Sequence, residues 1–199
     1  MPRLLILYGT TDGHTAKIAD FLAGELRSLG GLVDVVDAGA ASPDPRGYDG
    51  VIVAASLHAR GYQHSVSRWA RAHAPALRER PSVFVSVCLS VLQKEPEVQR
   101  ELAAIVRHFE AATGWPPRQV KHVAGALLYT RYGWLKRMVM RRISRKAGGE
   151  TDVSRDFEYT DWADLRAFAA DLYSTFEAAT PEATAGAAAA TRVPVAWPG

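Results

Sequence analysis

Short apolar runs alternate with longer amphipathic stretches along most of this chain. The apolar runs are typical of strands, and they cover residues 3–8, 32–37, 50–56, 82–90 and 121–129. The amphipathic stretches predict helices over residues 15–29, 65–77, 95–113 and 162–176. Strands that alternate with helices favour a parallel sheet covered by helices on both faces. We therefore predict an α/β fold with a doubly wound sheet of five parallel strands in the order 2-1-3-4-5.

Length and composition fit one core domain. The chain has 199 residues, 48% of them hydrophobic and 23% charged, which is enough for one core and too short for two. The first apolar run is shorter than a membrane span, and no cleavage pattern follows it. Cys88 is the one cysteine, so it can form no internal disulfide. We expect a cytoplasmic protein in which Cys88 is buried and unreactive.

Charge is distributed unevenly along the chain. The net charge is +3, but residues 111–149 contain nine basic residues and no acidic one. The remainder carries 15 basic and 21 acidic residues. A mildly acidic domain therefore carries one concentrated basic segment, which indicates a localised interaction with an anionic partner.

The basic segment interrupts the alternating pattern after the fifth strand. Residues 129–152 are too many for an ordinary strand-to-helix loop. Trp134, Met138 and Ile143 can share one helical face, with basic residues on the other faces, which predicts a basic amphipathic helical insert. We assign residues 1–176 to one domain. Residues 177–199 are rich in Ala, Thr and Pro, and we expect them to be disordered or to form an oligomer-specific extension.

The turn after the first strand, in the sequence YGTTDGHTAK, combines hydroxyls, glycine and an acid at a helix start. It has neither the Lys-Ser/Thr pair of a nucleoside-triphosphate loop nor the GxGxxG of a dinucleotide fold. Backbone N–H groups and threonine hydroxyls suit a phosphate monoester, and Gly13 allows close backbone approach. The alternative is that Asp12 caps the helix and the threonines only fill the turn.

A phosphate at this turn would direct the rest of its ligand to the crevice where the strand order reverses. The loops bordering that crevice are predicted at residues 56–64 and 89–97. His58 and Tyr62 could stack on a planar ring, with Arg60 nearby, or could be ordinary surface residues. His14 could donate to the phosphate or to a neighbouring carbonyl.

The stretch LILYGTTDGHTAKIA resembles the FMN-phosphate loop of flavodoxins, with Thr10, Gly13 and Thr15 matching S/T-x-T-G-x-T. Asp12 stands where a typical flavodoxin has threonine. The stretches beginning YDGVIVAASLHARGYQH and AGALLYTRYGWLKRM, followed by GGETD and YTDW, resemble bacterial flavodoxin-like, menaquinone-dependent protoporphyrinogen oxidases. That family shares the D-G-x-T turn. The likeness spans about residues 3–176.

The resemblance implies an FMN-bound oxidoreductase of haem biosynthesis. Such an enzyme oxidises protoporphyrinogen IX to protoporphyrin IX and passes the electrons to a membrane quinone, usually menaquinone. We predict cofactor contacts from three loops: Thr10, Thr11, Asp12, Gly13, His14 and Thr15; Ser56, Leu57, His58, Ala59, Arg60, Gly61 and Tyr62; and Val87, Cys88, Leu89, Ser90, Val91 and Leu92. We predict no metal site.

The basic insert matches the segment by which the family differs from electron-carrier flavodoxins. It could anchor the protein to the membrane surface, bind the propionates of the porphyrinogen, or be a solvated helix packed on the sheet. The first two roles are compatible and would place the protein on the inner face of the cell membrane. We expect no nucleic-acid partner, because no recognition motif accompanies the basic residues, and a homodimer stays possible. The candidate residues are Arg131, Tyr132, Trp134, Lys136, Arg137, Arg141, Arg142 and Arg145.

The predicted ring loops are cationic. Residues 56–64 and 89–95 together contain one acidic residue, Glu95, and four basic or titratable ones: His58, Arg60, His64 and Lys94. Such surroundings should stabilise a reduced, anionic flavin and raise its potential, which suits a quinone-linked enzyme better than a carrier. We assign no catalytic acid or base, and His58 and His64 are weak candidates. The alternatives are an electron-transfer flavodoxin without its own substrate and a quinone reductase.

Overall fold

A computed structural model of the chain describes residues 1–58, 61–127 and 156–180. Five parallel strands form its main sheet, in the order β2-β1-β3-β4-β5. The strands are β1 (Arg3–Gly9), β2 (Leu32–Asp37), β3 (Gly50–Ser56), β4 (Ser82–Val87) and β5 (Gln119–Val123). The predicted fold class and strand order are confirmed.

The inner strands are continuous apolar runs because helices cover both of their faces. β1 pairs with β2 and β3, and β4 pairs with β3 and β5, all in parallel. All six residues of β4 are buried, as are the first six of β3. This parallel pairing brings the carboxyl ends of β1, β3 and β4 side by side at one edge of the sheet.

Within the described part of the chain, four helices surround the sheet: α1 (His14–Ser28), α2 (His64–Glu79), α3 (Pro96–Thr113) and α4 (Trp162–Ala178). One core cluster joins α1 and α4 to one face, with Leu22 and Phe176 fully buried. The other cluster joins α2 and α3 to the opposite face around Phe84 and Trp115. The four helices predicted at residues 15–29, 65–77, 95–113 and 162–176 are present, with ends that shift by one or two residues.

The predicted fifth strand, residues 121–129, is wrong in its second half. β5 ends at Val123, and residues 126–127 form a separate strand, β6 (Ala126–Leu127), which pairs antiparallel with β7 (Phe157–Glu158). The chain leaves the main sheet at Ala124, whose carbonyl accepts from Thr160 Oγ1, while the Gly125 carbonyl accepts from Tyr159 N–H. An apolar sequence alone does not reveal this change of partner.

The predicted fourth strand, residues 82–90, is also too long. β4 ends at Val87, and a 3₁₀ turn follows at Leu89–Leu92. Several predictions lie outside the described residues: Ala59, Arg60, the basic helical insert at 129–152, and the tail from residue 181 onward. Within the described ranges, no helix is both long enough and apolar enough to cross a membrane.

Candidate functional site

The loops that follow β1, β3 and β4 converge on one open cavity of about 940 Å³. Predicted site residues from all three loops line it: Thr10, Asp12, His14, Thr15, Ser56, Leu57, His58, Gly61, Tyr62, Val87, Cys88, Leu89 and Ser90. The cavity lies at the carboxyl ends of the strands, where open α/β sheets bind their ligands. Its volume is within the usual range for small-molecule sites.

The β1 loop is folded so that polar groups surround the start of α1. Gly13 is the N-cap residue and has φ of 92°, a left-handed conformation that favours glycine. Its N–H donates to Thr10 Oγ1 at 2.9 Å, so the Thr10 hydroxyl proton can still be given to a ligand. Because Gly13 occupies the capping position, Asp12 is not the N-cap residue. The first N–H groups of α1 lack acceptors within the helix and point toward the loop.

Thr15 is the clearest sign that this loop holds a ligand. Its side chain is 1% exposed, and its Oγ1 has no hydrogen-bond partner among the described residues. A buried hydroxyl without a partner is costly, so such groups in native proteins normally have a partner. A phosphate oxygen at the start of α1 would supply the missing acceptor, and the helix dipole would favour its charge. The residues present therefore fit a phosphate monoester.

His14, the first residue of α1, does not turn its ring toward the loop. The ring is buried, at 8% exposure, and its Nε2 lies 2.7 Å from Thr160 Oγ1. Its Nδ1 lies 4.0 Å from the Glu158 carboxylate, and burial lowers the pKa of the imidazole. The ring is thus held by other parts of the protein, while the backbone N–H of His14 remains part of the helix start.

The β3 loop is a tight hairpin joined to the β1 loop by one glutamine. His58 and Gly61 exchange two backbone hydrogen bonds at 3.0 and 2.9 Å, and Gly61 has φ of 125°. The Gln63 amide nitrogen donates to Ser56 Oγ and to Thr11 Oγ1, the latter at 3.3 Å. Ser56 Oγ also lies 3.2 Å from His58 Nε2. This network holds the two loops together at the mouth of the cavity.

Tyr62 belongs more to the core than to the cavity surface. Its ring packs edge-on against Phe84 and Phe109, with centroids 4.8 and 5.2 Å apart. Its hydroxyl lies 2.8 Å from Ser86 Oγ, and burial raises its pKa to about 12. The stacking role of Tyr62 stays a prediction, and this packing speaks against it.

The β4 loop contributes Val87, Cys88, Leu89 and Ser90 to the cavity lining, and none of these residues is charged. Cys88 is buried, as predicted, and burial raises the pKa of its thiol. The Cys88 N–H donates to the Val123 carbonyl at 2.9 Å, and the 3₁₀ turn then begins. Leu92 at the end of that turn is exposed to 46%. A cysteine in this state is a packing group rather than a nucleophile.

The structure separates the two histidines proposed as weak catalytic candidates. His58 lines the cavity, whereas His64 begins α2, is exposed and is not among the lining residues. Within the described residues, no cluster of three or more His, Cys, Asp or Glu side chains could hold a metal ion.

Two parts of the site were not predicted from the sequence. Gln63 and Thr160 each bridge separate loops, and no local motif marks a residue whose partners are distant along the chain. The cavity also extends along α3, where Val98, Leu102 and Ile105 line it. Their helical spacing could have identified this face, but it is the same spacing as for core residues.

Comparison with known proteins agrees with this geometry. A family model described as "Flavodoxin domain" matches residues 5–154. The chain is 35% identical over 171 residues to the protoporphyrinogen IX dehydrogenase [quinone] of Escherichia coli K12, covering 85% of this chain and 94% of that protein. It is 34% identical to the protein of the same name from Leishmania major, covering 86% of this chain and 74% of that protein.

A solved structure shows the same fold. Oxidised Flavodoxin 1 from Bacillus cereus superposes with a TM-score of 0.52 and 15% identity, covering 87% of this chain and 97% of that one. At this identity the match supports the fold alone. The sequence relatives carry the comparison of function.

Proposed function

Because this chain belongs to the flavodoxin-domain family and, within it, to the protoporphyrinogen IX dehydrogenase [quinone] group of oxidoreductases, we propose that it oxidises protoporphyrinogen IX to protoporphyrin IX with FMN as its cofactor. The electrons pass to a membrane quinone, which we take to be menaquinone, as a step of haem biosynthesis. The observation that carries this proposal is the 35% identity extending over 94% of the Escherichia coli relative.

The β1 loop supports FMN as the cofactor. Thr10, Thr15 and the first N–H groups of α1 would hold the phosphate, with the unpartnered Thr15 hydroxyl completing the set. FMN, when bound, would supply the redox chemistry that connects oxidation of the porphyrinogen to reduction of the quinone. These donors are neutral, and backbone N–H groups at a helix start can bind a dianion without a lysine.

The cavity between the β3 and β4 loops would hold the planar ring and the substrate. Leu57, Cys88 and Leu89 provide an apolar lining, and the Gln63 network fixes the mouth. Oxidation of the porphyrinogen removes six hydrogens, so protons must leave the site repeatedly. His58 is the titratable side chain of the β3 loop that both lines the cavity and is held by Ser56, which makes it our candidate proton acceptor.

The basic insert would connect this site to its membrane-soluble acceptor. We propose that Arg137, Arg141 and Arg142 bind either anionic lipid or the propionates of the substrate, and that the protein associates peripherally with the inner face of the membrane. Replacing these three arginines with serine should weaken binding to anionic vesicles or raise the KM for the porphyrinogen. A folded triple variant with both properties unchanged would contradict either role.

The decisive experiment is an anaerobic assay of the purified holoprotein. Protoporphyrinogen IX and menaquinone are added, and porphyrin fluorescence is followed against a matched reaction without quinone. We expect sustained porphyrin formation only with quinone. Bound FMN without porphyrin formation would favour the electron-carrier alternative. Quinone reduction driven by a nicotinamide cofactor, without porphyrin formation, would favour a quinone reductase.

A further inference from the structure

The start of α1 is tied to a distant part of the chain through His14. Thr160 follows β7, and its Oγ1 lies 2.7 Å from both His14 Nε2 and the Ala124 carbonyl oxygen. These contacts join the β1 loop, the end of β5 and the strand pair β6–β7. All the groups involved are buried, so solvent does not compete for the hydrogen bonds.

The hydrogen-bond chain fixes which nitrogen of His14 carries a proton. A carbonyl oxygen only accepts, so the single hydroxyl proton of Thr160 goes to Ala124. The Thr160 oxygen must then accept from His14, whose Nε2 is therefore the protonated nitrogen. His14 is thus the hydrogen-bond donor to Thr160, and the side-chain amide N–H of a glutamine at this position could donate in the same way.

A second set of contacts supports the same position. Glu158 Oε2 accepts from Lys17 Nζ at 2.6 Å, and Glu158 Oε1 accepts from Trp162 Nε1 at 2.7 Å. The Trp162 ring packs on Phe21 of α1 with centroids 4.8 Å apart. The first two turns of α1 are therefore held against β7 and the start of α4.

We propose that His14 is a positioning residue for the phosphate subsite: its bond to Thr160 fixes the first turn of α1, so that the adjacent N–H groups and the Thr15 hydroxyl face the phosphate. The end of a helix tends to fray, and an anchored first residue prevents this before the ligand arrives. The strand pair β6–β7, next to Thr160, thereby supports the phosphate subsite. The inference rests on FMN as cofactor and not on the identity of the substrate.

The test compares FMN with riboflavin, which lacks the phosphate. Apoprotein is titrated with each flavin, and flavin fluorescence gives the Kd. In His14→Leu and Thr160→Val we expect FMN to bind about tenfold more weakly, the equivalent of one neutral hydrogen bond, with riboflavin affinity unchanged. His14→Gln should retain most of the FMN affinity because its amide can donate to Thr160. The double variant His14→Leu/Thr160→Val should bind FMN no more weakly than the worse single variant.

A matched control lies at the other end of α1. Glu25 accepts from Arg166 Nε at 3.0 Å and also ties α1 to α4, but far from the β1 loop. Glu25→Gln should leave the affinity for both flavins unchanged. Equal losses for FMN and riboflavin, or no loss in either single variant, would overturn the inference. If His14→Leu does not fold, Thr160→Val and His14→Gln still decide it. Wild-type apoprotein that bound no FMN would overturn the cofactor assignment first.

Discussion

Replacing Thr15 with valine should weaken cofactor binding without destabilising the apoprotein. The substitution keeps the β-branched shape and removes only the hydroxyl, which is buried and has no partner among the described residues. In the apoprotein this removes an uncompensated polar group, so the free energy of unfolding should stay the same or rise by about 1 kcal/mol. Valine would pack where threonine now packs.

In the holoprotein the same change removes a hydrogen bond to a charged phosphate. Such bonds contribute about 1.5–3 kcal/mol, so we expect the Kd for FMN to rise by about tenfold to about a hundredfold. Flavin fluorescence titration measures the Kd, and urea unfolding of the apoprotein measures the stability. The two measurements together distinguish a ligand-directed hydroxyl from a structural one.

Thr113 provides the matched control. It is also a buried threonine in a helix, at 3% exposure, but its Oγ1 donates to the Phe109 carbonyl at 2.8 Å and accepts from Trp115 N–H at 3.3 Å. Thr113→Val should therefore destabilise the apoprotein by about 1–3 kcal/mol and leave the FMN affinity unchanged. Our reasoning would be refuted if Thr15→Val destabilised the apoprotein like Thr113→Val, or if it left the FMN Kd unchanged.

Three further predictions follow from burial and charge. Burial lowers the pKa values of His14, His73 and His122, so these side chains bind fewer protons in the folded protein than in the unfolded chain. The free energy of unfolding, measured in urea, should therefore fall as the pH drops below about 6.5. His122→Gln should reduce that loss. Gly50→Ala would place a Cβ against the Phe176 ring and should lower the free energy of unfolding by roughly 1–3 kcal/mol. Gly24→Ala, in open space on α1, should raise it by up to about 1 kcal/mol. Equal effects of the two variants in thermal or urea unfolding would contradict this prediction. Redox titration should give a potential for two-electron reduction of the bound flavin to the hydroquinone that lies above that of carrier flavodoxins. Lys94→Glu should lower this potential by at most about 20 mV. A potential as low as that of a carrier flavodoxin would contradict the argument from the cationic loops.

The main sheet could be predicted because its causes are local. An apolar run buried on both faces is readable at β3 and β4 without knowledge of any partner. The β1 loop was readable for the same reason, since N–H groups at a helix start and the hydroxyls around them form a local anion-binding pattern. The predicted convergence of three loops on one cavity then followed from topology alone.

The rest of the site depends on contacts between distant residues. The direction of the His14 ring was undecided because its partner, Thr160, lies 146 residues away. From sequence, Tyr62 could be a ring platform or a surface residue, and its contacts with Phe84 and Ser86 are set by the tertiary fold. The break between β5 and β6 was missed because an apolar run has the same appearance in one sheet or in two. No pattern within a short window carries this information.

The antiparallel pairing of β6 with β7 also bears on how members of this fold can diverge. Leu127 pairs with Phe157, so the chain departs toward residue 128 and returns at residue 156 from adjacent points. A pair closed in this way is the base of a hairpin, and the entropy of closing a loop depends only weakly on its length. A segment that leaves and returns at such a pair can therefore change in length among members of the fold at a small cost in closure entropy. An electron-carrier flavodoxin and an enzyme could thus share one scaffold and differ in the single segment that joins β6 to β7.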